Sequence, residues 1–106
     1  MGMTFDEYQK EAVKFAIYPD DARLLYPLTL LAEEAGEAVG KIAKHLRGDG
    51  AIDFRGLEKE LGDVLWALAN VADDMGSSLS IIARQNLEKL EDRKARGVIT
   101  GSGDNR

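Results

Sequence analysis

The chain has 106 residues, 44% hydrophobic and 31% charged, with a net charge of −5, one histidine and no cysteine. That length allows one domain with a modest core, which a partner subunit would help to complete. The negative charge argues against a nucleic-acid polymer as partner, since that surface needs a basic stripe, and the missing thiols exclude disulfides, thiolate zinc sites and cysteine nucleophiles.

The first helix is predicted from Thr4-Phe5-Asp6-Glu7, which has the form of a capping box. It should run to Phe15 or Tyr18, with Phe5, Tyr8, Ala12, Phe15 and Ala16 on one face, until Pro19-Asp20-Asp21 breaks it. A second helix begins between Leu24 and Pro27, where a proline is tolerated in the first turn, and runs to Arg47 before Gly48-Asp49-Gly50. Asp53 is a candidate N-cap for a third helix. Leu57, Leu61, Val64, Leu65, Leu68, Val71, Ala72 and Met75 follow its 3.6-residue period up to Gly76. Ser77 or Ser78 caps a fourth helix that ends at Gly97 after Arg93, Lys94 and Arg96. No segment alternates like a strand. The expectation is an all-α fold of four main helices, with one domain over residues 1–97 and a flexible tail over 98–106.

No apolar run approaches the roughly 20 residues needed to span a bilayer, and no signal-peptide core is present. Met1-Gly2 lacks the Ser or Thr that myristoylation wants at the position of Asp6. These features point to a cytoplasmic protein without a membrane partner. His45 is read as a surface residue near a helix C-terminus, and Ile42 stands where a Glu-x-x-His iron motif would need its glutamate.

The chemistry lies in two acidic clusters, Glu33-Glu34-Ala35-Gly36-Glu37 and Glu60-Leu61-Gly62-Asp63. On helices, each cluster's carboxylates point the same way. Glu60 and Asp63 fall on one edge of the third helix's apolar stripe. Glu34 flanks the second helix's stripe of Leu31, Ala35, Val39, Ile42 and Leu46, with Glu37 and Lys41 further round. One reading is a solvated acidic face with Glu37 paired to Lys41. The other is a site for Mg2+, a hard cation that takes oxygen ligands and keeps waters for phosphate chemistry. Like charges at three- and four-residue spacing each cost a few tenths of a kcal/mol. Gly36, Gly40 and Gly62 each cost a helix about 1 kcal/mol, and with Ala35 and Ala38 they would let two helix backbones approach closely.

On the fourth helix, Asn86 falls within the stripe of Leu79, Ile82, Ala83 and Leu90, with Lys89 and Arg93 on the same side. Either the amide is satisfied inside a bundle and the cations snorkel at its edge, or the three form a strip of donors for phosphate or base. Trp66 and Tyr8 read as core or interface residues. Gly48-Asp-Gly50 and Gly101-Ser-Gly103 lack the P-loop framework, and Asp49 to Glu58 does not fit a calcium loop.

Glu33-Glu34-x-x-Glu37 followed by Glu60-x-x-Asp63 resembles the signature of the MazG-like nucleoside triphosphate pyrophosphohydrolases. That all-α superfamily also includes dimeric dUTPases, dCTP pyrophosphatases and phosphoribosyl-ATP pyrophosphohydrolase. Tyr8-Gln9, Leu28-Thr29-Leu30, Gly62-Asp63-Val64-Leu65-Trp66, the stretch from Asn86 to Gly97 and the closing Gly101-Ser102-Gly103-Asp104-x-Arg106 extend the likeness over nearly the whole chain. The resemblance implies hydrolysis of an NTP or dNTP between the α- and β-phosphates, giving a monophosphate and pyrophosphate. By position, Glu34, Glu37, Glu60 and Asp63 would hold Mg2+, with Mn2+ as a substitute, and Glu33 would orient or deprotonate water. Asn86, Lys89 and Arg93, with Lys41, would contact the nucleotide. The resemblance also implies a homodimer or a tetramer built as a dimer of dimers, the helical bundle being completed by dimerisation. Ala67 departs from the pattern, since many similar sequences carry an aromatic residue after the tryptophan. A narrow-specificity dUTPase or dCTPase, a non-catalytic nucleotide- or metal-binding module, and a purely structural bundle are the competing readings.

Overall fold

A computed structural model describes residues 2–106; Met1, half of the Met1-Gly2 pair considered for lipidation, lies outside the described residues. The fold consists of α1 (Phe5–Ala12), α2 (Leu25–Leu46), α3 (Phe54–Asp74) and α4 (Leu79–Ala95), with short 3-10 turns at Val13–Phe15 and Asp20–Ala22. Among the described residues there is no strand, and no helix is long and apolar enough to cross a membrane.

Local chemistry sets the helix ends. Thr4 and Glu7 form the reciprocal capping box of α1, with Glu7 N–H donating to Thr4 Oγ1 at 3.1 Å and Thr4 N–H to Glu7 Oε1 at 3.2 Å. Asp53 caps α3 by accepting from Gly56 N–H, and Ser78 caps α4 by accepting from Ile81 N–H. The first helix is shorter than its apolar pattern implies. Its α-geometry ends at Ala12 and tightens into the 3-10 turn, after which Ala16 is extended. Leu24, just before α2, carries a left-handed φ of 66°, an uncommon conformation for a non-glycine residue. Its N–H donates to Asp74 Oδ2 at 2.7 Å, so the far end of α3 fixes the start of α2.

The chain's framework is the antiparallel hairpin of α2 and α3, which pack against each other along their length. Leu24 bonds Asp74 at one end, and Lys41 Nζ meets Asp53 Oδ2 at 3.6 Å at the other. The seam between them follows Pro27, Leu31, Glu34, Ala38 and Lys41 on α2, all buried or half-buried. These positions alternate by four and three, as in the contact line of two helices packed side by side. Facing them on α3 are Gly56, Glu60, Val64, Ala67, Asn70 and Asp74, likewise buried or half-buried. Ala38 and Ala67 are small, which permits a close approach. Gly36, Gly40 and Gly62 are not part of the seam, because a Cβ added at any of them would meet nothing within 4 Å. The close approach expected of these glycines therefore rests on the two alanines instead.

α1 crosses α3, and α4 leans on α1 and α3. A small core forms where Ala12, Ala69, Ala72 and Leu79 meet, with Tyr8, Leu65 and Trp66 packed against it. Gln9 ties α1 to the start of α4: its Nε2 donates to Ser77 O at 3.1 Å, and its Oε1 accepts from Leu79 N–H at 2.8 Å. Trp66 Nε1–H donates to Ala12 O, so the ring is held by its polar edge as well as by packing.

Much of the apolar periodicity has no cover. Val39 and Leu46 on α2 are 66% and 78% exposed, and Leu61, Leu68, Ile82 and Leu90 are also exposed. The protomer presents 7813 Å² of surface. A compact chain of this mass would present about 5,800 Å², leaving an excess of about 2,000 Å². The radius of gyration, 16.6 Å, exceeds the value of about 13 Å for a compact domain of this length. The stripes read from the sequence are therefore real as patterns, yet a single protomer buries only part of them.

Candidate metal and nucleotide site

The acidic residues converge in the middle of the α2–α3 seam. Carboxylate oxygens of Glu34, Glu60 and Asp63 lie within 4.8 Å of one another, and so do those of Glu33, Glu34 and Glu37. Glu34 belongs to both triads, so the five acids form one continuous cluster across two helices. Antiparallel packing brings this about: with Leu24 opposite Asp74 and Lys41 opposite Asp53, residues near 34 on α2 must face residues near 62 on α3.

Two oxygens in the cluster are withdrawn from solvent. Glu34 Oε2 and Glu60 Oε2 are sealed from solvent and have no hydrogen-bond partner among the described residues. A buried polar atom without a partner costs about 1–3 kcal/mol, and more when charged. Burial raises Glu34 above the usual carboxylate range, with the charges of Glu37, Asp63, Glu60 and Glu33 adding to the effect. Glu37 is raised first by a hydrogen bond with Glu60 and by that group's charge, then by burial and by Glu33 and Asp63. The donor set is all oxygen, half exposed and strongly negative, which suits a hard divalent cation such as Mg2+ that retains waters. The residues present therefore fit the cation implied by the sequence.

Tyr8, read from the sequence as a core residue, lies at the edge of this field. Its hydroxyl is raised by burial first and then by the charge of Asp63. Ala67, one turn beyond Asp63 on α3, is 0% exposed. An aromatic ring at that position would have to part the two helices, so this chain builds no pocket wall there.

The cationic residues are placed elsewhere. Lys41 is paired with Asp53 at the end of the hairpin. Asn86 is exposed on α4 rather than buried in a stripe; the buried residues of that helix are Leu79 in its first turn and Arg93 in its last. It lines a shallow cavity of about 340 Å³ with Ile82, Gln85 and Lys89. Lys89 and Arg93 both donate to Asp104 Oδ1, at 2.9 and 3.1 Å. α4 packs on α1 and α3, and among the described residues no hydrogen bond or ion pair joins Asn86, Lys89 or Arg93 to the acidic cluster. His45, as expected, sits near the C-terminus of α2, with its Nδ1 2.8 Å from Gly50 O.

One polar node was not foreseen. Asp74 accepts from Leu24 N–H, Tyr18 Oη–H and Arg23 Nε–H, and Tyr18 Oη–H also reaches Asn70 Oδ1. Burial alone would raise Asp74, but the bonds from Leu24, Tyr18 and Arg23 outweigh it and hold the carboxyl below its usual range. Tyr18 is pushed up to about 12, by burial first and then by Asp74. Four-residue spacing puts Asn70 and Asp74 on one side of α3, but away from its apolar stripe, so periodicity gives no sign of their burial.

Against known proteins, the sequence matches the MazG nucleotide pyrophosphohydrolase domain over residues 25–98, which spans α2, α3 and α4. It is also 45% identical over 114 aligned residues to the Gene 37 protein of Mycobacterium phage L5, covering 98% of this chain and 100% of that protein. No solved structure matches. With the acid-lined α2–α3 hairpin inside the matched span, this chain belongs to the MazG nucleotide pyrophosphohydrolase domain family.

Proposed function

We propose that the chain hydrolyses a nucleoside or deoxynucleoside triphosphate at the α–β phosphoanhydride, releasing the monophosphate and pyrophosphate, as a house-cleaning enzyme of the cytoplasmic nucleotide pool. The observation that carries this reading is the pair of sealed, partnerless oxygens on Glu34 and Glu60 inside a five-carboxylate cluster. Glu34, Glu37, Glu60 and Asp63 would hold Mg2+, and Mn2+ would substitute for it. Bound there, the cation neutralises the triphosphate and stabilises the charge that develops on the leaving pyrophosphate.

The chain's own residues supply the rest. Glu33 is exposed beside Glu34, where a water can reach it. It accepts a hydrogen bond from the attacking water and takes up its proton as the oxygen bonds to phosphorus. The antiparallel hairpin fixes the spacing of the acids, so little reorganisation is needed when the substrate arrives. No covalent intermediate is required, in keeping with a chain that has no cysteine and one histidine.

Asn86 and Lys89 would contact the nucleotide from a second protomer. The pairing of Lys89 and Arg93 with Asp104 rather than with the acidic cluster, and the uncovered apolar faces, support this arrangement, whether the assembly is a homodimer or a dimer of dimers. An excess of about 2,000 Å² on each protomer is ample for a permanent interface.

Incubation with Mg2+ and the eight common NTPs and dNTPs, followed by anion-exchange separation, tests the reaction. Monophosphate and pyrophosphate, abolished by EDTA, are expected. Diphosphate and phosphate would place the cleavage at the other anhydride and refute the reading. A product pattern restricted to dUTP or dCTP would select the narrow-specificity alternative.

A further inference from the structure

Residues 98–106 fold into a closed loop against α4 instead of trailing away. The Arg106 side chain donates to three main-chain carbonyls, Val98 at 3.2 Å, Ile99 at 2.8 Å and Gly103 at 2.6 Å. Arg96 in turn donates to Arg106 O at 2.7 Å. Gly101 and Gly103 have φ of 136° and 85°, and a Cβ on Gly101 would stand 3.0 Å from Arg106 Cδ, so the reversal needs glycine.

This loop delivers Asp104 to α4. Its Oδ1 accepts from both Lys89 and Arg93, and its main-chain oxygen accepts from Arg93 as well. The two cations differ. Arg93 is 5% exposed and holds the loop by backbone and side chain together. The Lys89 side chain is 39% exposed, pairs with Asp104, and lines the shallow cavity beside Asn86 and Gln85. The Asp104 side chain is 79% exposed, and exposed ion pairs are weakened by water and easily exchanged.

We propose that Asp104 is an internal competitor for an anion site on α4: its carboxylate occupies the ammonium of Lys89, and a phosphate-type oxyanion seated against Gln85, Asn86 and Lys89 displaces it. Arg93 keeps the loop tethered through the Asp104 carbonyl while the carboxylate swings away. The carboxylate gives up two charge-assisted hydrogen bonds, from Lys89 and Arg93, and the oxyanion restores the one on Lys89, without covalent change. Two amide side chains and one lysine around a cavity match a phosphorylated ligand better than a neutral one. The inference rests on the reading of Asn86 and Lys89 as nucleotide contacts, and it adds that the chain's own tail sets how strongly they bind.

The test is titration of inorganic pyrophosphate into the full chain in EDTA, followed by calorimetry. Without a divalent cation the acidic cluster repels the probe, so α4 is what the titration reads. Asp104→Asn keeps the shape and the carbonyl that Arg93 uses; it should bind pyrophosphate about five- to tenfold tighter than wild type, and adding Lys89→Met should abolish the gain. Unchanged or weaker binding by Asp104→Asn overturns the proposal, because the carboxylate would then support the site or be indifferent to it. If that variant fails to fold, amide exchange in the wild type decides: saturating pyrophosphate should speed exchange at residues 102–106, and slower or unchanged exchange refutes displacement. Loss of the nucleotide reading would show separately, as absence of turnover with Mg2+, while these titrations remain readable.

Discussion

Glu34 on α2 and Glu60 on α3 each hold one carboxylate oxygen sealed in the same helical seam, and neither oxygen receives a hydrogen bond from the described residues. Positions of this kind in a helix–helix contact usually carry apolar side chains. Placing acids there works against stability unless a cation compensates. Mg2+ should therefore raise the unfolding temperature, with a gain of about 2.7 kcal/mol at a hundredfold excess over its dissociation constant. Glu34→Gln should remove that gain and should raise the metal-free midpoint, since it relieves repulsion from Glu37, Glu60 and Asp63. Thermal unfolding with and without Mg2+ checks both signs, and a metal-free midpoint lower than wild type would count against the account.

Glu33 and Glu34 should separate in kinetics although they are neighbours in sequence. Glu33→Gln removes the proposed proton acceptor for water and should lower kcat by about 10²–10⁴-fold while leaving metal affinity near wild type. Glu34→Gln should lower both. Metal titration of the two variants, alongside turnover, distinguishes these outcomes.

Asp74 secures the α1–α2 connection to the end of α3. Asp74→Asn should cost about 2 kcal/mol, the usual range for hydrogen bonds to a charged group. The folded pKa lies below its ordinary value of 3.8, so the folded state favours the ionised form. The contribution is therefore complete above about pH 4 and is lost as the pH falls through the lower folded value. Urea unfolding of wild type and variant should differ at neutral pH and converge in strong acid.

Gln9 joins α1 to the turn before α4 through two bonds to main-chain atoms of Ser77 and Leu79. Gln9→Ala leaves that N–H and carbonyl without their partner and should cost about 2 kcal/mol. A local consequence is faster amide exchange in the first turn of α4, with α2 and α3 less affected.

The uncovered faces of α2, α3 and α4 should be closed by other copies of this chain. Light scattering should give a mass of two or four times 11.6 kDa. Val39→Glu with Leu46→Glu should shift the mass towards that of one chain, because both side chains are exposed in the protomer and apolar. A monomeric wild type would contradict the shared-site arrangement.

Helix positions and caps were legible because they depend on neighbours in sequence: Thr4 with Glu7, Asp53 with Gly56, Ser78 with Ile81. The acidic convergence was legible too, since Glu34 and Glu60 sit at the edges of apolar stripes. What escaped was the facing of α2. Its apolar stripe predicts burial of Val39 and Leu46, yet the contact with α3 runs through Glu34, Ala38 and Lys41. Periodicity shows which residues share a face and not which neighbour that face meets. The Asp74 node and the Asp104 clasp escaped for a related reason, as the first joins residues about fifty positions apart and the second depends on a tail without periodicity.

The most direct measurement is a Mn2+ titration followed by electron paramagnetic resonance, on wild type, Glu34→Gln and Glu60→Gln. The account predicts saturable binding in the wild type, displacement by Mg2+, and at least about tenfold weaker binding in each variant. Equal Mn2+ affinity in all three proteins would show that the sealed oxygens of the α2–α3 seam do not hold the cation, and the proposed site would fall with them.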